Sequence, residues 1–128
     1  MVNALLSFHQ VWGWVAIGAN ALAGILLVVA WRVPALGRQK FVWWPTWFAE
    51  GAILLQVLVG TVIVASNSAL AKSNGVRFHM FYGFVAFITI GLAYQYRGYM
   101  KGRRELIYGL VGLFLMGVGI RSWIQVAG

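Results

Sequence analysis

Four long apolar segments, separated by short polar stretches, dominate the pattern of hydrophobic and polar positions along this chain. They cover approximately residues 7–31, 44–65, 78–96 and 105–124. Each has about the 17–25 residues that an α-helix needs to cross the hydrocarbon core of a bilayer. The pattern therefore predicts an all-α integral membrane protein, folded as a four-helix bundle.

Proline and tryptophan mark the connection between the first two segments. Pro34 follows the first segment, and the residue before a proline is seldom helical. Pro45 suits the first turn of the second segment. It is surrounded by Trp43, Trp44 and Trp47, and tryptophan is enriched where a membrane meets water. The second helix is therefore expected to begin at a membrane surface.

A nine-residue motif occurs twice, at residues 8–16 and again at 78–86. Phe, His, Gly, Val and Ala occupy the same places in both copies, and two further places are aromatic in both. Self-similarity at a fixed spacing indicates a repeat. We expect a tandem duplication of a two-helix hairpin, with one transmembrane pair at 1–66 and the second at 67–128, together forming one domain.

Composition excludes a soluble domain. Apolar residues make up 62% of the chain and charged residues 9%, against about 45–50% and about 25% in soluble domains. The net charge of +8 would suit a nucleic-acid partner, but the basic residues flank the apolar segments, as membrane topology requires. We therefore expect the lipid bilayer, and no nucleic acid, as a partner. With no cysteine, the chain has no disulfide or thiolate site.

Basic residues are unevenly divided between the two ends of the predicted bundle. One end has seven and the other has three. The seven are Arg32, Arg38, Lys40, Arg97, Lys101, Arg103 and Arg104, and the three are Lys72, Arg77 and Arg121. Cytoplasmic loops carry the excess of basic residues. The sequence thus predicts a bacterial-type plasma membrane protein whose basic loops are cytoplasmic and whose two termini are both non-cytoplasmic.

Two of the polar residues within the apolar segments have a predicted role of their own, Asn20 and Glu50. Asn20 is expected to hydrogen-bond to a neighbouring helix, the usual role of an amide in lipid. Glu50 lies in the early turns of the second span, where it would complement the helix dipole. Alternatively it is a functional acid, partnered by Gln56 or by a loop arginine, because an intramembrane carboxyl group is a functional candidate by default.

The only two histidines, His9 and His79, occupy the same place in the two copies of the motif. Each is followed four residues later by a glycine, Gly13 or Gly83, which lies on the same helix face one turn away. Bare backbone beside an imidazole gives room for a flat group such as a haem macrocycle. It equally allows a neighbouring helix to approach closely. Both interpretations of the glycines remain open.

The two histidines are expected at the same depth, because spans one and three run in the same direction. These spans lie diagonally across an up-down bundle, so both side chains can point at a common centre. We interpret His9 and His79 as axial metal ligands of one haem b. Arg77 and Arg121 near that end would pair with its propionates through their planar guanidinium groups. For Arg121 the alternative is snorkelling to the outer headgroups.

In its design this arrangement resembles the transmembrane b-type cytochromes, in which paired histidines on different helices of a four-helix core ligate haem and small residues flank the macrocycle. The resemblance covers the two nine-residue motifs and the four-span layout. Such cytochromes commonly bind two haems through four histidines, whereas this chain has two. The resemblance thus implies an electron-transfer subunit with a single haem, working with other membrane subunits or as a homo-oligomer.

Other functions need different features. A cofactor-free accessory or assembly subunit of a larger respiratory or transport complex would use the histidines as interfacial residues. A pump or channel would need more aligned polar groups than these spans offer. No hydrolytic or transferase constellation is visible, because the two acids, Glu50 and Glu105, lie at the opposite end from the histidines. As an enzyme the chain would be a redox carrier at most.

Overall fold

The computed structural model describes residues 2–127, and this part of the chain is helical with no β-strand. The α-helices are α1 (Val2–Arg32), α2 (Pro34–Gly37), α3 (Trp44–Ser66), α4 (Asn74–Gln95) and α5 (Arg104–Ala127). Short 3₁₀ helices cover Lys40–Trp43, Ser68–Lys72 and Arg97–Tyr99. Helices α1, α3, α4 and α5 are each long and apolar enough to cross a membrane, which confirms the prediction of four spanning helices.

Two helices begin earlier than the hydropathy pattern predicts. Helix α1 begins at Val2 and α4 at Asn74, ahead of the apolar segments at 7 and 78. Helix α1 has 31 residues, hence a length of about 46 Å, whereas the hydrocarbon core of a bilayer is about 30 Å thick. Helices of this length project beyond the lipid, where their turns can be polar. Hydropathy therefore locates the part of each helix in the lipid and misses its ends.

Helix α1 is the central element of the bundle. It packs along its length against both α3 and α5, and α4 packs against the other side of α5. Helices α3 and α4 contact each other much less. The order around the bundle is therefore α3, α1, α5, α4, which places α1 and α4 on the diagonal, as expected for spans one and three.

Glycines bring α1 and α5 into backbone contact. A Cβ atom added at Gly112 would lie 3.0 Å from the carbonyl oxygen of Asn20 and 3.0 Å from Cα of Gly24. A Cβ atom added at Gly24 would lie 2.8 Å from the carbonyl oxygen of Gly109. Small residues at such an interface let helices in lipid approach closely enough for extensive van der Waals contact. The α1–α5 contact therefore depends on these glycines.

Corresponding positions of the two motif copies face the interior. Ala16 and Ala86 are both buried, and so are Ala23 and Ala93, about two turns further along their helices. The two hairpins also pack alike internally, α1 on α3 and α4 on α5, but the glycine contact between α1 and α5 has no equally close counterpart between α3 and α4. The tandem duplication itself stays a prediction.

Polar side chains fasten α1 to α3. The Asn20 amide nitrogen donates to the carbonyl oxygen of Ala16 in its own helix at 2.8 Å and to that of Ala49 on α3 at 3.4 Å. The Trp12 indole N–H donates to the carbonyl oxygen of Ala52 at 2.9 Å. The expectation that Asn20 bonds to a neighbouring helix is confirmed. In lipid such a bond contributes about 1 kcal/mol.

The glycine contact predicts opposite effects for two alanine substitutions in α5. Gly112→Ala places a methyl group against backbone that cannot move aside, so it should destabilise the bundle by about 1–3 kcal/mol. Gly117→Ala is the matched control because a Cβ atom there meets nothing within 4 Å, and alanine has the higher helix propensity. Thermal unfolding in detergent, followed by tryptophan fluorescence, should give a lower midpoint for Gly112→Ala only. Equal midpoints for the two variants would contradict the close contact.

Candidate functional site

The two histidines meet in the interior of the bundle. The ring centroids of His9 on α1 and His79 on α4 are 5.8 Å apart, and their planes are inclined at 77°. Both side chains are half-buried. The prediction that these residues lie at one depth and point at a common centre is therefore confirmed.

The ring of His79 is held by α5. Its Nδ1 lies 2.9 Å from the carbonyl oxygen of Ser122 and 2.7 Å from the Ser122 hydroxyl. The same hydroxyl lies 3.2 Å from the carbonyl oxygen of His79. Carbonyl oxygens can only accept hydrogen bonds, so one assignment of hydrogens satisfies all three contacts. Nδ1–H of His79 donates to the carbonyl and hydroxyl oxygens of Ser122, and the Ser122 hydroxyl donates to the carbonyl oxygen of His79. Nε2 then carries the free lone pair.

The ring of His9 lies against α3 at a glycine. A Cβ atom added at Gly60 would lie 3.0 Å from Cε1 of His9, so only glycine leaves full room for the imidazole there. One turn earlier in α3, the Gln56 side-chain nitrogen donates to the carbonyl oxygen of His9 at 2.7 Å. Each histidine therefore packs against the second helix of its own hairpin, His9 on α3 and His79 on α5.

Two polar atoms beside His9 are buried without hydrogen-bond partners. They are Nδ1 of His9 and Oε1 of Gln56, which find no partner of ordinary geometry within residues 2–127. A buried group left unpaired costs about 1–3 kcal/mol, and such groups in a folded protein are few. At this position a polar atom of a ligand could form hydrogen bonds with the two unpaired atoms and would be stabilised by them.

The structure gives the two motif glycines different surroundings. A Cβ atom at Gly13 would lie 3.0 Å from the Gln56 side-chain nitrogen, so this glycine makes room for a residue of α3. A Cβ atom at Gly83 would make only ordinary contact with Val57, at 3.9 Å. Gly13 thus lets the neighbouring helix approach, whereas a Cβ atom at Gly83 would be accommodated in ordinary contact with α3. A role for either glycine beside a macrocycle stays a prediction.

The two arginines predicted near the histidines are exposed at that end of the bundle. Nε of Arg121 lies 3.4 Å from the hydroxyl of Tyr82, one turn along α4 from His79. Nε of Arg77 donates to the carbonyl oxygen of Ala71 in the connector, at 3.1 Å. A guanidinium group has five N–H donors, so these contacts leave donors on both residues for an anion.

Sequence analysis did not single out Gly60 or Ser122, and it considered Gln56 only as a partner of Glu50. Glu50 is buried in α3, nearly two turns from Gln56 towards the basic end of the bundle. The available signal for Ser122 was its polarity inside an apolar span. For Gly60 no signal was available, because which helix face meets His9 is decided only by packing.

The ligand inventory of the site is short. No group of three or more histidine, cysteine, aspartate or glutamate side chains able to hold a metal ion occurs in the part of the chain that the structure describes. The two imidazoles therefore meet without a third side chain of these types beside them in residues 2–127. Comparisons with protein-family models, with curated proteins and with solved structures give no match, so the functional inference depends on this geometry.

The convergence of the two rings can be tested without any cofactor, because the chain has no cysteine. In the double variant His9→Cys/His79→Cys, a short bifunctional thiol reagent should link the two helices within one chain. The matched control is Phe8→Cys/Phe78→Cys, which replaces the preceding residues, both exposed. A one-residue step turns a side chain by about 100°, so linkage there should be slower by about fivefold or more. Linkage is measured as the fraction of cysteines that no longer react with a maleimide mass tag. Equal linkage rates in the two double variants would contradict the proximity of the two histidine rings.

Proposed function

We propose that this protein binds a single b-type haem through His9 and His79 as axial ligands and serves as an electron-transfer subunit in a membrane. The observation that carries the proposal is the separation of the two rings. Two imidazoles that converge this closely from different helices could both bind one metal ion, to which histidine nitrogens bond at about 2 Å. The observed separation is 5.8 Å.

The number of ligands favours haem over a bare metal ion. A tetrahedral zinc site takes three or four protein ligands, but the site supplies two imidazoles, with no third histidine or acid beside them in the described residues. The porphyrin of a haem supplies four ligands to its iron and leaves two axial positions. Two imidazoles therefore complete a haem site and leave a bare-ion site incomplete.

The hydrogen bonds of the two histidines leave ring nitrogens available for ligation. Ser122 binds the Nδ1–H of His79 and so fixes Nε2 as the free nitrogen. Histidines that ligate metals almost always donate their other ring N–H in this way, which fixes the tautomer and raises basicity. Nδ1 of His9 is buried and makes no hydrogen bond of ordinary geometry in residues 2–127.

The remaining predicted residues have supporting roles in this proposal. Arg77 and Arg121 would pair with the propionates, since both are exposed near the histidines and retain free donors. Gly13 and Gly83 would keep their own helix faces free of side-chain bulk near the rings, although the Gln56 side chain already lies against Gly13. Haem bound there would supply one-electron redox chemistry, and the chain would tune its potential through burial and the Ser122 hydrogen bond. Donor and acceptor would be other membrane subunits or further copies of the chain, because one haem does not span a bilayer.

An optical spectrum of the purified protein tests the proposal. Expressed with adequate haem supply, the protein should contain one haem per chain and show the sharp low-spin bands of a b-type cytochrome after dithionite reduction. His9→Ala and His79→Ala should each abolish the low-spin spectrum, because each removes one axial ligand.

Phe8→Ala and Phe78→Ala are matched controls for this experiment. They alter the residues adjacent to the histidines, whose side chains are exposed, and should retain the spectrum. A colourless protein that is folded by circular dichroism would refute haem binding. That outcome would favour a cofactor-free accessory subunit.

We also propose that the basic loops are cytoplasmic, as the distribution of lysine and arginine supports. Single cysteines can replace Lys72, in the connector, and Lys101, in the loop before α5, both of which are exposed. In intact cells a membrane-impermeant maleimide should label the Lys72→Cys variant. The Lys101→Cys variant should be labelled only after lysis. The reverse pattern would contradict the orientation.

A further inference from the structure

A second candidate site lies at the end of the bundle opposite the histidines. A cavity of about 420 Å³ lies there among residues from the loops and the adjoining ends of α3, α4 and α5. Its volume lies within the range of about 300–1,000 Å³ that is usual for small-molecule sites. Its lining includes three cations, Lys40, Arg97 and Arg104, and the aromatic residues Trp43, Trp47 and Tyr108.

The charge of this cavity is wholly positive. The chain has only two acids, Glu50 and Glu105, and neither lines the cavity. Arg97 is held in place because its guanidinium group stacks on the ring of Tyr94 at 3.9 Å and donates from Nη1 to the Tyr94 carbonyl oxygen at 2.9 Å. Its other N–H groups stay available. The cavity therefore presents positioned donors to an anion.

One wall of the cavity is a rigid aromatic cluster. The rings of Trp43 and Trp47 stack with centroids 5.7 Å apart. Tyr108 meets them edge-on at 5.4 Å and 5.8 Å. Its hydroxyl donates to the carbonyl oxygen of Ala93 at 3.1 Å, and its side chain is 1% exposed. This wall is apolar and faces the cavity beside the three cations.

The position of the cavity along the candidate spans indicates which part of the bilayer lies beside it. The candidate spans run over Lys40–Ser66, Asn74–Gln95 and Arg104–Val126. Lys40 and Arg104 are the first residues of their spans, and Arg97 lies two residues beyond the end of its own. The three cations therefore lie at the boundary between lipid and water, where the headgroup phosphates of the bilayer lie. Tryptophan and tyrosine are typical of the same level.

We propose that this cavity is a binding site for an anionic phospholipid. The three cations bind the headgroup phosphate, and the rings of Trp43 and Trp47, supported from behind by the buried Tyr108, pack against the glycerol and the first methylene groups. Basic pockets between transmembrane helices are known to bind acidic headgroups, and each lysine or arginine near the surface contributes substantially. A zwitterionic headgroup brings its own cation into the same positive field and is therefore bound more weakly. The site is independent of the histidine pair.

Lipid titration of the purified, delipidated protein tests this proposal. Native mass spectrometry in a mild detergent would count phosphatidylglycerol and, separately, phosphatidylcholine with the same acyl chains. Arg97→Gln/Arg104→Gln should bind phosphatidylglycerol about thirtyfold more weakly, and each single variant about fivefold more weakly. The matched control is Lys101→Gln/Arg103→Gln, which removes the same charge from exposed residues of the same loop that do not line the cavity. Its affinity should change by less than about twofold. Arg97 and Arg104 are also exposed, but the two control residues lie outside the cavity, where salt screens their attraction for the bound phosphate.

Three results would overturn the proposal. Equal loss in the two double variants would mean that net charge alone attracts lipid. Equal binding of phosphatidylcholine and phosphatidylglycerol to the unaltered protein would mean that the site does not distinguish headgroups by charge. This comparison does not depend on the folding of any variant. Displacement of phosphatidylglycerol by an equal concentration of inorganic phosphate would assign the cavity to a soluble anion, whereas retention of the lipid supports a site that also uses the aromatic wall.

Discussion

The backbone contact between α1 and α5 is the constraint on which the rest of the bundle depends. Water supplies no hydrophobic force between helices inside a bilayer, so helices associate there through close packing and a few polar bonds. Gly24, Gly109 and Gly112 remove the side chains that would hold α1 and α5 apart. Helix α3 can then pack on the free side of α1, and α4 on the free side of α5.

This arrangement brings the histidines together. With α1 and α5 as the central pair, α1 and α4 become diagonal, and side chains at one depth on these two helices point inward at each other. Hairpin partners then orient the rings: Gly60 gives the ring of His9 a place on α3, and Ser122 on α5 fixes the tautomer of His79. The ring of His79 is thus fixed by hydrogen bonds, whereas Nδ1 of His9 has no hydrogen-bond partner of ordinary geometry within the described residues.

The two ends of the bundle suit different chemistry for a common physical reason. In lipid, polar groups are stable only where they are paired, where they bind a ligand, or where they reach the headgroup level. At one end the half-buried imidazoles lie between helices, with ring centroids 5.8 Å apart. At the other end, Lys40, Arg97 and Arg104 gather at the membrane boundary around an apolar aromatic wall. Both candidate sites therefore lie where a ligand would satisfy polar groups that the fold concentrates.

The amino-acid sequence by itself determined the four spanning helices, the burial of Asn20 against a neighbour and the equal depth of His9 and His79. Segment length, hydropathy and motif spacing can be obtained from the order of residues alone. They do not depend on which faces of the helices pack together. Only the tertiary structure decided that Gly60, Gln56 and Ser122 surround the histidines, that Gly13 accommodates a glutamine of α3, and that three distant cations share one cavity. These contacts join residues that are far apart in the chain. They depend on how each helix is rotated about its axis and on close packing at glycines, and neither can be predicted from the local sequence.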